Sequence, residues 1–241
     1  PDGQFIGWAP GRGPIVSPDG MAWRLERGSD LVVELHVIDS KQAVPLKPSV
    51  GLFLTTTPPR QRPITVRMGS KSIDIPPGQA DYLVTDDYEL PANVTVLSVY
   101  PHAHYLGREM RLEAARPDGR RLTLLHIPRW DFHWQQDYRF TAPVALPAGT
   151  QLTMRFTYDN SDGNEDNPHH PPIDVTVGQR STDEMGNLAL QVLPHSAADR
   201  ARIVRDFAAK EVEANVAGYE VVARHHPNDP AVLADLGASY V

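Results

Sequence analysis

His102 and His104 stand two residues apart at the end of a run, 93–100, in which apolar and polar residues alternate. Along a β-strand such positions point to one face, so Val94, Val96, Ser98, Tyr100, His102 and His104 are expected to share a face, with the two imidazoles side by side. Neutral imidazole is a common ligand for copper and zinc, and an adjacent pair is a natural start for such a site. The pair alone leaves a second reading open, that of surface or hydrogen-bonded structural histidines. His169 and His170, in a polar Pro-rich loop, read as a solvated pair, and His133, inside an aromatic run, reads as packed or hydrogen-bonded. His126, His195, His225 and His226 have no convergent partner in the sequence.

The chain has 241 residues and no cysteine, which excludes zinc fingers, c-type haem attachment and disulfide frameworks within it. A formal net charge of -7 gives no basic footprint for nucleic acid, so no nucleic-acid partner is expected. No apolar run approaches the length of a membrane span. The first residues contain neither a start Met nor a signal peptide, and the chain is expected to be part of a longer protein.

The elements that must position the histidines are mostly strands. With 23 Pro and 17 Gly, the composition fits short strands joined by turns. Strands are expected at 31–38, 50–54, 64–68 and 81–85 in a first block, 1–87. A second block, 88–194, holds further strands near 93–100, 111–114, 121–127, 138–140, 152–158 and 174–177. Pro117-Asp118-Gly119-Arg120 marks a hairpin, and the long polar loop 159–172 reads as functional or mobile. A third block, 195–241, is helical, with Pro227-Asn228-Asp229-Pro230 between helices over 197–224 and 231–240. Its Gly218, Tyr219, Pro227, Leu236, Gly237 and Tyr240 resemble the tetratricopeptide pattern, against which a plain helical hairpin capping the strands is the alternative.

Pro101-His102-Ala103-His104-Tyr105-Leu106-Gly107 is followed far downstream by Ser181-Thr182-Asp183-Glu184-Met185-Gly186-Asn187-Leu188. Together these resemble the second copper domain of the ascorbate-dependent type II copper monooxygenases, the family of peptidylglycine α-hydroxylating monooxygenase and dopamine β-monooxygenase. The runs Trp130-Asp131-Phe132-His133-Trp134-Gln135 and Tyr158-Asp159-Asn160-Ser161 look like bacterial members. The resemblance implies two jelly-roll-like antiparallel β-sandwich domains, the first incomplete (1–87, electron-donor copper) and the second catalytic (88–194). It implies copper held by His102, His104 and Met185, where a soft thioether suits Cu(I). It also implies that His36 belongs to the electron-donating copper site, whose other two histidines would lie upstream of Pro1.

The function so implied is hydroxylation of a C–H bond with O2 and a reductant such as ascorbate, on a small-molecule or peptide substrate, in a periplasmic or secreted setting. Asn187 and Tyr100 are the candidate substrate contacts. The amidating members use an Arg two residues before the first histidine and a Tyr four residues after the Met; Tyr100 and Ala189 stand there instead. Neither forms the charged clamp that a carboxylate prefers, so amidation of glycine-extended peptides is not expected. The helical block suggests a protein partner. Two other functions remain open: a non-catalytic copper-binding or scaffold protein, and an unrelated β-sandwich binding module with incidental histidines.

Overall fold

A computed structural model describes residues 13–18, 20–23, 25, 27–35, 37, 43 and 45–240. The chain divides into a unit formed by residues 15–62 and another formed by 1–14 with 63–241.

In the larger unit ten strands precede two helices: β1 (Ile64–Ser70), β2 (Asp74–Ile75), β3 (Tyr82–Glu89), β4 (Val94–Ala103), β5 (Gly107–Ala115), β6 (Arg121–Ile127), β7 (Tyr138–Leu146), β8 (Gln151–Tyr158), β9 (Val175–Thr176), β10 (Gly186–Pro194), α1 (Ala197–His225) and α2 (Pro230–Ser239). They form two four-stranded sheets, β1-β10-β4-β7 and β3-β8-β5-β6, and the short pair β2-β9. All the pairings between these strands are antiparallel. The inner faces of both large sheets share one apolar core, with Val66, Met68, Leu188 and Leu190 from one and Val84, Leu112, Met154 and Phe156 from the other. Alternation makes this possible: in β8, Leu152, Met154, Phe156 and Tyr158 are buried while their neighbours are not.

Two expectations need correcting. A boundary at residue 87 falls inside β3, and β1 and β3 pair with β10 and β8. The sandwich therefore begins at Ile64, not Tyr88, because its edge strands come from the segment assigned to the first domain. In the smaller unit, the described residues of 31–38 and 50–54 carry no strand. Val32 is 86% exposed and Phe53 98% exposed, so β-branched sequence there finds no ladder partner or packing face. What order this unit shows is turn-like: the amides of Arg60 and Gln61 both donate to the Gly20 carbonyl, at 2.8 and 3.0 Å.

The helical tail packs on the sandwich. Ser196 caps α1 by accepting the Asp199 amide at 3.0 Å. Ile203 is fully buried, Phe207 meets Tyr88 edge-on at 6.2 Å, and Lys210 pairs with Asp86. Gly218, one of the residues of the repeat-like pattern, has its own local reason. A Cβ there would lie 2.8 Å from the Cβ of Lys71, so only glycine lets the helix approach the turn after β1. Asp229 and Pro230 start α2, and the Tyr240 hydroxyl donates to Glu220 at 2.7 Å, tying it to α1. Ile203→Ala is expected to destabilise the whole sandwich by about 2–4 kcal/mol in denaturant melts, in one transition. A separate early transition of the helices would contradict a tail integrated into the core.

Candidate metal centre

The H-x-H pair sits where β4 leaves its sheet. Its two neighbours in the ladder are β10 and β7, and both pairings shift register between Val96 and Ser98. This bulge at Leu97 reverses the alternation. Val94 and Val96 face the core before it, and Val99 and Ala103 face the core after it. The single shared face expected for 94–104 is therefore broken. Val94 and Val96 lie inside, whereas Tyr100 and His102 lie on the outer face of the sheet.

Register assembles the rest of that face. Asn187 is opposite His102, and Ala189 is opposite Tyr100. Arg67 of β1 lies opposite Ala189, two strands from Tyr100 and roughly 10 Å away by strand spacing. The β4–β10 ladder ends at Ala103 with Gly186, so His104 and Met185 are the next residue on each strand. His102, His104, Met185, Asn187 and Tyr100 are thus brought to one end and side of the sheet, whereas His36 lies outside the described residues.

The two imidazoles meet edge-on, 5.2 Å between centroids at 84°. Each is held through Nδ1: His102 to Gln135 Oε1 at 2.7 Å, His104 to the Asp183 carbonyl at 3.0 Å. Gln135 in turn donates its Nε2 to the Phe132 carbonyl at 2.9 Å, which leaves its Oε1 as the acceptor. Both Nδ1 atoms must therefore carry the proton, and each Nε2 keeps a lone pair. His104 is only 4% exposed. Burial pushes its pKa down to about 4, with neighbouring His102 adding to the effect and Asp183 opposing it. Burial lowers His102 too, against its bond to Gln135. Both rings are neutral at pH 7, the state a metal requires.

An aromatic loop after β6 braces the rings. Trp130 donates Nε1 to the His104 carbonyl at 3.1 Å, and Phe132 meets the His104 ring edge-on at 5.8 Å. Tyr105 packs on Phe132 in a tilted arrangement, 4.3 Å between centroids at 43°, and His133 packs against both, which makes it a packing residue. His126 bonds Glu109, His195 bonds Thr95 and His225 bonds Asp74, so these rings are spent on local structure.

Sequence reasoning missed Gln135 and Glu184. Glu184 is fully buried, and its carboxylate accepts the amides of His104, Met185 (2.8 Å) and Leu106 (3.0 Å). Burial raises its pKa to about 8, while the three donors pull it down. The only signal for either residue was its place within a quoted motif; the partners lie 33 and 80 residues away in the chain.

Among the described residues no three His, Cys, Asp or Glu side chains converge on a metal position. The set expected from the sequence, two imidazoles and a thioether, contains only two residues of those types. A family model for the C-terminal domain of copper type II ascorbate-dependent monooxygenases matches residues 65–195. The chain belongs to this family. The family is copper- and ascorbate-dependent, and its monooxygenase-type chemistry is the frame for the site. The matched segment starts in β1 and ends just after β10, which covers the whole sandwich. Among solved structures, dimeric latent PorU from Porphyromonas gingivalis matches 55% of this chain at 12% identity with a TM-score of 0.23, a likeness that bears no weight. This chain spans 13% of that protein. No curated protein matches the chain. Among the described residues no helix is long and apolar enough to cross a membrane.

In metal-free protein, ring-carbon NMR should show both imidazoles titrating below 6.5, His104 near about 4. The unfolded chain takes up these protons first, so the pair costs stability as pH falls from about 6.5 towards 4. Midpoints at or above 6.5 would contradict a buried neutral pair.

Proposed function

We propose that His102, His104 and Met185 hold copper, and that the sandwich is the catalytic domain of a monooxygenase that hydroxylates a C–H bond with O2 and a reductant such as ascorbate. The observation that supports this most is the pair of neutral imidazoles whose Nδ1 atoms are both tied to carbonyl acceptors. Two prepared Nε2 donors with a soft thioether on the adjoining strand form a set suited to Cu(I). Copper bound there would supply the one-electron chemistry that activates dioxygen.

The chain's own residues orient and protect. Gln135 and the Asp183 carbonyl hold the ring planes, while Phe132 and Trp130 keep water from the buried side of His104. Met185 is half-buried and stands one residue before β10, while Asn187, opposite His102, offers an amide to substrate on the outer face. Tyr100 and Ala189 give that face no charge beside the histidines, and Arg67 stands two strands from Tyr100. We therefore expect no amidation of glycine-extended peptides. His36 is assigned to the electron-donating copper site, a role supported by the resemblance of its segment to the family.

Elemental analysis after Cu(I) loading is expected to give one tightly held copper. It should be lost in His102→Ala/His104→Ala and weakened, about 10-fold or more, in Met185→Ala. Copper absent in the parent chain, or indifferent to these changes, would favour a binding module with incidental histidines.

A further inference from the structure

The outer face carries the imidazoles, but nothing in the ladder carries Met185. Strand pairing between β4 and β10 stops at Ala103 with Gly186. Beyond that pair no backbone hydrogen bond joins the two strands at His104 and Met185. Two buried side chains take over. One oxygen of Glu184, Oε1, accepts the amides of both His104 and Met185, and its other oxygen accepts the Leu106 amide at 3.0 Å. On the other side of the same residue, the Tyr158 hydroxyl donates to the Met185 carbonyl at 2.9 Å. Neither Glu184 nor Tyr158 has exposed surface. The main chain of Met185 is therefore gripped at both its N–H and its C=O, and one atom links it to His104.

We propose that Glu184 and Tyr158 are positioning residues that set the spacing between His104 and Met185 and so determine whether the thioether reaches a metal held by the histidines. The proposal rests on the ligand assignment above and deepens it. A single shared oxygen is a short, stiff link. Two amides bound to one carboxylate oxygen stay within a few ångströms of each other whatever the flanking loops do. Gly186 fits the same design, because a Cβ there would collide with the Tyr158 hydroxyl and push it off the Met185 carbonyl. The loop before Met185 is closed as well: the amides of Gly178 and Glu184 exchange bonds with the carbonyls of Glu184 and Thr176, at 3.1 and 3.0 Å. Freedom to move the sulfur is left to the Met185 side chain alone, and Met is the most adaptable of the apolar side chains. Fixing its main chain is what restricts the sulfur to a small volume.

The two oxidation states of copper separate positioning from simple support of the fold. A thioether favours Cu(I) and adds little for Cu(II). Affinities for both ions, measured by competition with chromophoric chelators, should therefore respond differently in Tyr158→Phe. The expected result is a loss of about 10-fold or more in Cu(I) affinity with Cu(II) affinity within about 2-fold of the parent. In a Met185→Ala background the Tyr158→Phe change should add nothing further, because it acts through the sulfur. Equal losses for both ions, additivity with Met185→Ala, or a folded Tyr158→Phe protein with unchanged Cu(I) affinity would overturn the positioning role while leaving the ligand assignment intact. Met185→Ala without effect on Cu(I) would overturn the ligand assignment and the positioning with it. A variant-free check covers the case in which substitution unfolds the protein. In the metal-free parent, the amides of His104, Leu106 and Met185 should exchange as slowly as ladder amides of β4 and β10. Fast exchange at these three would show that the grip does not exist.

Discussion

The pairing of β4 with β10, interrupted at Leu97, is the constraint on which the site depends. Both strands are interior in their sheet, so each is held on two sides, and the bulge is shared by the pairings of β4 with β10 and with β7. Below the bulge the strand serves the core through Val94 and Val96. Above it the core is served by Val99 and Ala103, and the outer face receives Tyr100 and His102. One extra residue thus turns a core strand into a platform, and the same core that stabilises the sandwich fixes where the imidazoles stand.

Around that platform, each buried polar group has its partners. His102 has Gln135, Gln135 has the Phe132 carbonyl, His104 has the Asp183 carbonyl, and Glu184 has three amides. Unpaired, each such group would cost about 1–3 kcal/mol. Paired, they define the tautomers of the two rings and leave one nitrogen of each uncommitted, while burial keeps the rings neutral.

Much of the sandwich could be read in the sequence because the signals were local. The alternation of β8, the Pro117-Asp118-Gly119-Arg120 turn and the Ser196 start of α1 each depend on a few neighbouring residues. That His102 and His104 lie side by side was legible for the same reason. What was not legible depends on partners far along the chain. β1 was placed in the wrong domain because its partner, β10, lies more than a hundred residues downstream. The Leu97 bulge was overlooked, although the alternation of 93–100 shifts phase where Val96 and Leu97 adjoin, because one pair of adjacent apolar residues does not by itself mark a bulge. Gln135 and Glu184 were silent because no local pattern states which distant group a polar side chain will satisfy. The run 31–38 shows the converse: β-branched composition records a preference, and a strand forms only where a ladder partner exists.

The central claim is that two imidazole nitrogens and one thioether sulfur bind the same metal ion. X-ray absorption at the copper edge of the Cu(I)-loaded protein tests it most directly, because nitrogen and sulfur scatter distinguishably in the first coordination shell. The account predicts a shell of two imidazole nitrogens and one sulfur, with the sulfur contribution absent in Met185→Ala. A shell of nitrogen and oxygen alone in the parent protein would contradict it.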